Sequence, residues 1–143
     1  MSYAAIGLFH PQMNLNVGSV LRAAMCFDAR LVLVQGRPYQ RAATDTQKAY
    51  RYLPLIHTPD LHACVPFDCV PVAVELVDGA VNLRDFVHPK RALYIFGPEN
   101  GSLGADTLSW CKHVVQVPSR YCLNLAACVN VVLYDRTAKR MKP

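Results

Sequence analysis

Short apolar runs recur along the chain and alternate with longer amphipathic stretches. Five of the runs are brief and rich in Val, Ile, Leu, Tyr or Phe, which is typical of strands buried in the centre of a sheet. The predicted strands are Ala4–Phe9, Arg30–Val34, Pro71–Leu76, Ala92–Phe96 and His113–Val117. The predicted helices are Val17–Phe27, Ala105–Lys112 and Leu125–Lys139. This alternation predicts an α/β fold with a mainly parallel sheet and helices on both faces.

The ends of two predicted helices carry residues that suit those positions. Asn14 or Asn16 could serve as the N-cap of the first helix, since asparagine side chains accept hydrogen bonds from free backbone amides. The last helix ends with Arg136, Lys139 and Arg140, and positive charge is favourable at a helix C-terminus.

Length and composition narrow the class of protein. The chain has 143 residues, 52% of them hydrophobic, which predicts one domain over residues 1–143. A formal charge of +5 favours polyanionic partners. The six cysteines lack a C-x-x-C pair, and the histidines lack metal-ligand spacing, so we predict reduced core thiols and no metal. With no signal peptide and no apolar run of about 20 residues, we expect a cytoplasmic protein without a membrane segment.

Three of the predicted strands are followed by turn residues and polar groups. The loop after Ala92–Phe96 is Gly97-Pro98-Glu99-Asn100-Gly101, whose only carboxylate is Glu99. Ligands of parallel sheets gather at such strand ends, although a glycine-rich loop on its own is more often an ordinary tight turn. The chain contains neither G-x-G-x-x-G nor G-x-x-x-x-G-K-[ST], which counts against a nicotinamide or flavin enzyme and against a P-loop hydrolase.

The segment after the first strand carries two further polar candidates, Asn16 and Arg22. They lie six residues apart on the predicted helix, and we expect them to project from similar sides. Arg22 could reach a phosphate lying over the sheet. Alternatively, it is a solvated helix charge.

Taken in order, three motifs resemble the SpoU or TrmH family of the SPOUT methyltransferase superfamily. Asn16-Val17-Gly18-Ser19-Val20-Leu21-Arg22 matches N-x-G-x-x-x-R, and Phe96–Gly101 matches a strand that ends in G-x-E-x-x-G or a close variant. Val117-Pro118 is followed by Cys122-Leu123-Asn124-Leu125-Ala126, where the family usually has S-L-N-[VL]-[SA]. The resemblance extends from Ala4 to about Arg136.

This resemblance implies an RNA 2′-O-ribose methyltransferase that uses S-adenosylmethionine. It also implies a homodimer whose C-terminal part forms a trefoil knot, which general topology rules would exclude. The cofactor would lie among the loops Glu75–Gly79, Gly97–Gly101 and Val117–Asn124. The implied cofactor-binding residues are Glu75, Leu76, Gly97, Gly101, Val117, Cys122, Leu123 and Asn124.

The implied catalytic residues are Arg22, Asn16, Glu99 and Asn124. Because a guanidinium stays protonated in proteins, we interpret Arg22 as a clamp on an RNA phosphate rather than as a base. Glu99 would orient Arg22 or Asn16 by a charge-assisted hydrogen bond, and Asn124 would help place the ribose. Cys122 departs from the family serine and offers a weaker hydrogen-bonding group.

The segment from Gln35 to Pro54 is the predicted RNA-binding region. Its basic residues are Arg37, Arg41, Lys48 and Arg51, interleaved with Tyr39, Tyr50 and Tyr52. Basic side chains contact phosphates and tyrosines stack on unpaired bases, although the segment could also be a solvated loop. Minimal members of the family act on transfer RNA, which makes tRNA the first candidate substrate, with ribosomal RNA as the alternative. The main alternative is a non-catalytic or weakly active RNA-binding homologue, and a nucleotide-binding oxidoreductase is a more distant one.

Overall fold

Within residues 1–141, which the computed structural model describes, the chain forms seven strands and three α-helices. The strands are β1 (Tyr3–Phe9), β2 (Leu31–Gln35), β3 (Leu55–Thr58), β4 (Val70–Val74), β5 (Val81–Asn82), β6 (Arg91–Phe96) and β7 (His113–Gln116). The helices are α1 (Asn14–Cys26), α2 (Gly104–Trp110) and α3 (Leu125–Arg140). Residues 142 and 143 of the predicted domain lie outside the described part.

All strand pairs in the sheet are parallel, and the strand order is β3-β2-β1-β6-β4-β7-β5. Strands β1 and β6 lie at the centre and pair from Tyr3–Arg91 to Leu8–Phe96. From β1 the chain adds β2 and then β3 on one side of the centre, and the later strands β4 to β7 lie on the other side of β1. The crevice between the carboxyl ends of β1 and β6 is therefore a switch point of the kind where α/β sheets bind ligands.

Helices cover both faces of the sheet, as predicted. On one face, α1 and α3 bury Val20, Leu21, Val129 and Leu133 against alternate residues of the central strands. On the other face, Leu103, which immediately precedes α2, is buried against the sheet, and Leu108 of α2 packs against the same cluster. Both faces of β6 are thus covered, which explains why it is apolar from Ala92 to Phe96. The trefoil knot stays a prediction.

The five predicted strands are confirmed with ends shifted by one or two residues, but β3 and β5 were missed. Strand β3 lies at one edge of the sheet, where Ile56 and His57 are exposed, so its pattern lacks an apolar run. Strand β5 contains only Val81 and Asn82 at the opposite edge. The prediction for β4 also ran too far, because Glu75 and Leu76 lie in the loop beyond it.

The basic residues at the end of α3 also bind carbonyls of neighbouring segments. Arg136 is 4% exposed and donates to the carbonyls of Tyr3 (3.2 Å), Pro89 (2.7 Å) and Lys90 (2.8 Å). Lys139 donates to the carbonyl of Leu83 at 2.6 Å. The expected basic C-terminus is confirmed for Lys139 and Arg140, which lie in the last turn of α3. Arg136 lies one turn earlier and instead binds the carbonyls of Tyr3 and Lys90 at the amino end of the sheet.

Candidate active site

A cleft opens at the carboxyl edge of the sheet, where the loops after β4, β6 and β7 meet. Its volume is about 690 Å³, including the open solvent at its mouth. Val74, Phe96 and Leu125 give it an apolar lining. Seven of the eight predicted cofactor-binding residues also line it: Glu75, Leu76, Gly97, Gly101, Val117, Cys122 and Leu123. The eighth, Asn124, lies between lining residues Leu123 and Leu125.

Two of the lining loops are tied together by Glu75. Its carboxylate accepts a hydrogen bond of 2.7 Å from the backbone amide of Leu103, so the loop after β4 holds the end of the loop after β6. Gly97 permits the same close approach, because a Cβ atom there would lie 3.3 Å from the nitrogen of Leu103. Both residues therefore have a structural role in shaping the cleft.

Glu99 joins the loop after β6 to the segment before α1. Its carboxylate accepts hydrogen bonds from the backbone amides of Gln12 (2.8 Å) and Met13 (3.3 Å) and from Nδ2 of Asn16 (2.8 Å). Burial by itself raises the pKa of Glu99, but these three donors outweigh burial and hold the pKa below its ordinary value. Glu99 is consequently a carboxylate at neutral pH.

Asn16 extends this contact to the third predicted motif. Its Oδ1 atom accepts a hydrogen bond of 3.0 Å from Nδ2 of Asn124. The Oδ1 atom of Asn124 caps α3 by accepting from the amides of Ala126 and Ala127. Glu99, Asn16 and Asn124 thus form one hydrogen-bonded chain across the switch point, and each comes from a different motif.

Arg22, the fourth predicted catalytic residue, is exposed and lies outside this chain of hydrogen bonds. Its Nη1 atom donates to the hydroxyl of Thr46 at 3.0 Å, in the segment between β2 and β3. The expectation that Asn16 and Arg22 project from similar sides was wrong, because six residues at 3.6 per turn separate them by about 120° around the helix. Of the two partners considered for Glu99, the structure selects Asn16.

The predicted N-cap of α1 was also wrong. The helix begins at Asn14 after Met13, and the side chain of Met13 makes no capping bond. Asn14 instead accepts from the amide of Gln40 at 3.2 Å. The carboxylate of Glu99, bound to the amides just before the helix, supplies the negative charge that favours this end.

Two thiols contribute to the cleft. Cys122 is exposed, and Cys128 of α3 is partly buried. Burial is the main cause that raises the pKa of Cys128 to about 11, so this thiol stays protonated at neutral pH. The expectation that the cysteines are core residues was wrong for the exposed Cys26 and Cys122.

The predicted RNA-binding residues are exposed on the segment between β2 and β3: Arg37, Arg41, Lys48 and Arg51. The guanidinium of Arg41 lies 5.0 Å from the ring centre of Tyr50, which covers one face of that ring. Tyr39 supports the segment internally, because its hydroxyl accepts from the amide of Ala42. Tyr52, with 74% of its surface exposed, is the best presented of the three tyrosines.

Sequence reasoning missed the residues that act through their backbone or through a distant contact. Gln12 and Met13 hold Glu99 by their amides, Thr46 holds Arg22, and Leu103 holds Glu75. Every residue except proline has a backbone N–H group, so the residue type does not reveal which of these groups will bind a functional side chain. Thr46 could have been found only as one of several hydroxyl groups in a polar segment.

Comparison with known proteins identifies one family. The sequence model of the family described as the SpoU rRNA Methylase family matches residues 3–134. A search of curated protein sequences found no match.

Solved structures with the same fold cover nearly the whole chain at low sequence identity. The SpoU methyltransferase AviRb from Streptomyces viridochromogenes, in complex with AdoMet, has a TM-score of 0.85 and 20% identity over 98% of this chain and 61% of its own. The A. aeolicus TrmH/SpoU tRNA modifying enzyme has a TM-score of 0.87 and 13% identity, over 98% and 76%. A protein solved to explain the 2-OH methylation of C/U34 on tRNA has a TM-score of 0.82 and 18% identity, over 97% of both chains. The chain thus spans about 60% of the length of AviRb.

Proposed function

Because the chain belongs to the SpoU rRNA methylase family, we propose that it transfers a methyl group from S-adenosylmethionine to a ribose 2′-hydroxyl of RNA. The observation that carries this proposal is the hydrogen-bonded chain of Glu99, Asn16 and Asn124 beside the cleft. It joins three motifs that are far apart in sequence at the place where a parallel sheet binds ligands.

The residues that line the cleft fit the cofactor in their chemistry. Adenine needs a flat apolar slot, for which Leu76, Val117 and Leu123 are available, together with backbone groups along its edge. AviRb was solved with AdoMet bound, which supports the same ligand for this fold. When bound, S-adenosylmethionine supplies a methyl group already activated by the sulfonium charge. The protein's task is therefore alignment and removal of the hydroxyl proton.

The residues beside the cleft suit alignment better than proton removal. The Glu99 carboxylate is already engaged by three hydrogen-bond donors, and its lowered pKa makes it a weak base. We assign it the role of fixing Asn16, which in turn holds the amide of Asn124 at 3.0 Å. These two amides would place the ribose, and the proton would pass to the RNA phosphate or a neighbouring group.

Arg22 would bind that phosphate. It is exposed and steadied by Thr46, so its guanidinium can meet RNA approaching from the solvent. The exposed basic residues between β2 and β3 would contact further phosphates of the same RNA.

We propose tRNA as the substrate and a homodimer as the active form. The tRNA proposal is supported by two proteins of the same fold, one called a tRNA modifying enzyme and one solved for methylation of C/U34 on tRNA. The dimer is supported by apolar side chains on the outer side of α3, where Val131 is 39% and Tyr134 64% exposed. We place the protein in the cytoplasm, where its six free cysteines would stay reduced. No helix within residues 1–141 has the length and hydropathy needed to cross a bilayer.

The first experiment compares nucleosides of tRNA and ribosomal RNA from cells with and without the gene by mass spectrometry. Loss of one 2′-O-methylated nucleoside in the deletion strain is expected, and the RNA fraction that loses it identifies the substrate. An unchanged profile, combined with normal binding of S-adenosylmethionine by the purified protein, would instead support the non-catalytic RNA-binding homologue.

An assay with purified protein tests the proposed site. Asn16→Ala should lower methyl transfer to the RNA of the deletion strain by about 100-fold, a typical cost of losing a positioning group. Binding of S-adenosylmethionine should change by less than about threefold, because Asn16 lies outside the residues that line the cleft. Asn82→Ala is the matched control, since that asparagine makes a local hydrogen bond at the far edge of the sheet. Equal activity of both variants would contradict the assigned role of Asn16.

A further inference from the structure

A second cavity lies at the carboxyl edge of the sheet, between the β1–α1 connection and the segment after β2. Its volume is about 720 Å³, including the open solvent at its mouth. The lining residues are Pro11, Gln12, Asn14, Val17, Arg37, Pro38 and Gln40. Pro11 and Val17 are buried and give the cavity an apolar floor, whereas the amide side chains and the arginine surround it with polar groups. An apolar floor with hydrogen-bonding groups around it suits a heterocycle.

This cavity adjoins the cofactor cleft. Gln12 lines the second cavity, and its backbone amide is bonded to the carboxylate of Glu99, which lines the cleft. Asn16, which would place the ribose, is one residue from Val17 in the cavity floor. A nucleotide with its base in this cavity would therefore have its ribose near Asn16 and Glu99.

Two amide side chains of the cavity are oriented by internal hydrogen bonds. Gln12 uses Nε2 to donate to the carbonyl of His10 at 3.0 Å, and Asn14 uses Oδ1 to accept from the amide of Gln40 at 3.2 Å. A ligand would consequently meet the carbonyl oxygen of Gln12 and the amino group of Asn14. This acceptor and donor can bind the Watson–Crick edge of an unstacked base.

Arg37 supplies a positive charge, which suits a base that carries a phosphate better than a base alone. It is exposed at the rim of the cavity, and a guanidinium binds phosphate oxygens with charge-assisted hydrogen bonds. An apolar floor, paired amides and one cation together match a nucleoside monophosphate unit.

We propose that this cavity receives the unstacked base of the nucleotide to be methylated and that Arg37 binds a phosphate attached to it. This inference rests on the proposed function and extends it, because it gives the target nucleotide its own subsite beside the cofactor cleft. Gln12, Asn14 and Gln40 become the residues that contact the base.

The proposal can be tested by titrating the full chain with the 5′-monophosphates of adenosine, guanosine, cytidine and uridine, and with the four nucleosides, while recording ¹H–¹⁵N spectra. The side-chain amide signals of Gln12, Asn14 and Gln40 should shift. Monophosphates should bind about tenfold more tightly than nucleosides, as expected for a hydrogen-bonded ion pair. Arg37→Gln should remove this difference. Arg30→Gln should retain it, because Arg30 precedes β2 at the opposite edge of the sheet and is paired with Asp28.

Shifts confined to other surfaces, or a phosphate preference that survives Arg37→Gln, would overturn the subsite. Methyl transfer to RNA is measured separately, so the two proposals can fail independently. If the protein methylates RNA and the nucleotides bind elsewhere, only the subsite is wrong. If the nucleotides bind as expected and no RNA is methylated, the proposed activity is wrong, and the cavity binds nucleotides without being the subsite of a methylation target.

Discussion

The Glu99 carboxylate connects segments that are more than 80 residues apart in sequence. Three donors surround it, two of them backbone amides and one the side chain of Asn16. Replacing it with an amide would place an NH₂ group against at least one of these donors, which costs more than losing one hydrogen bond. Glu99 is therefore better understood as a fixed support for Asn16 than as a residue that exchanges protons.

Arg22→Lys tests whether the fork of the guanidinium matters. Lysine keeps the positive charge but cannot bind a phosphate with two parallel hydrogen bonds while also contacting Thr46. We expect the KM for RNA to rise by less than about fivefold and kcat to fall by about 100-fold, since a clamp contributes mainly to alignment. Steady-state methyl transfer to the substrate RNA measures both constants.

Thr46→Val provides the companion measurement for Arg22. It removes the hydroxyl that steadies the guanidinium and leaves the charge and fork intact. Loss of one neutral hydrogen bond is worth about 1 kcal/mol, so kcat should fall by roughly fivefold. Full activity of Arg22→Lys would exclude the clamp, whatever the result for Thr46→Val.

At the level of elements, the close contact between α1 and the segment after β2 depends on Gly18. A Cβ atom at this position would overlap the hydroxyl oxygen of Thr44 and lie 3.1 Å from the backbone nitrogen of Asp45. Thr44 itself donates to the carbonyl of Leu15 at 2.6 Å. The glycine of the first motif therefore lets the basic segment lie against the helix, which brings Thr46 to Arg22.

Gly18→Ala should lower the free energy of unfolding by about 1–3 kcal/mol, because overlap in a packed contact outweighs the gain in helix propensity. Urea unfolding measures the change. The double variant Gly18→Ala/Thr44→Ala should lose less stability than the sum of the two single changes, since the overlapping oxygen is gone. A Gly18→Ala protein at least as stable as the parent would show that this contact does not constrain the segment.

Helix α3 is attached to the sheet by a buried polar network around His88. Arg136 donates to the hydroxyl of Tyr94 at 2.9 Å, this hydroxyl lies 2.7 Å from Nδ1 of His88, and Nε2 of His88 lies 2.8 Å from the carboxylate of Asp135. A neutral imidazole that carries its proton on Nε2 satisfies both contacts of the ring. Burial lowers the pKa of His88, and the Asp135 carboxylate offsets only part of that effect. Burial also raises the pKa of Tyr94 to about 12.

The lowered pKa predicts acid destabilisation. Below the ordinary value of 6.5 the unfolded chain takes up a proton at His88 while the folded chain stays neutral, so stability is present above that pH and falls as pH drops towards the lowered pKa. The contribution is at most about 1.4 kcal/mol for each pH unit. Thermal unfolding between pH 7.5 and 5 should show a smaller decrease for His88→Gln than for the parent. The exposed His62, changed to Gln, is the control and should follow the parent.

For the molecule as a whole, hydrophobic periodicity predicted the central strands and all three helices because these are buried on defined faces. The edge strands β3 and β5 were missed because an edge buries too few residues to leave a pattern. The cleft residues were predicted through three ordered motifs. The partner of Glu99 was not, since the choice between Asn16 and Arg22 depends on the rotation of α1 against a loop 83 residues away. Local pattern contains no information on such contacts.

The proposed homodimer depends on the surface of the molecule. It can be tested by placing one charge on an exposed apolar area. Tyr134 is 64% exposed on α3 and packs edge-to-face on Phe27, so it extends an apolar area on the outer side of the α1–α3 layer. Monomeric proteins seldom leave such areas uncovered.

Light scattering after size exclusion should give twice the chain mass of 15.9 kDa for the parent and the chain mass for Tyr134→Lys. Phe67→Lys is the matched control, because Phe67 is 94% exposed and belongs to the segment before β4 rather than to α1 or α3, and it should remain dimeric. A monomeric parent at micromolar concentration would refute the dimer. A Tyr134→Lys protein that remains dimeric would show that the interface lies outside the α1–α3 layer.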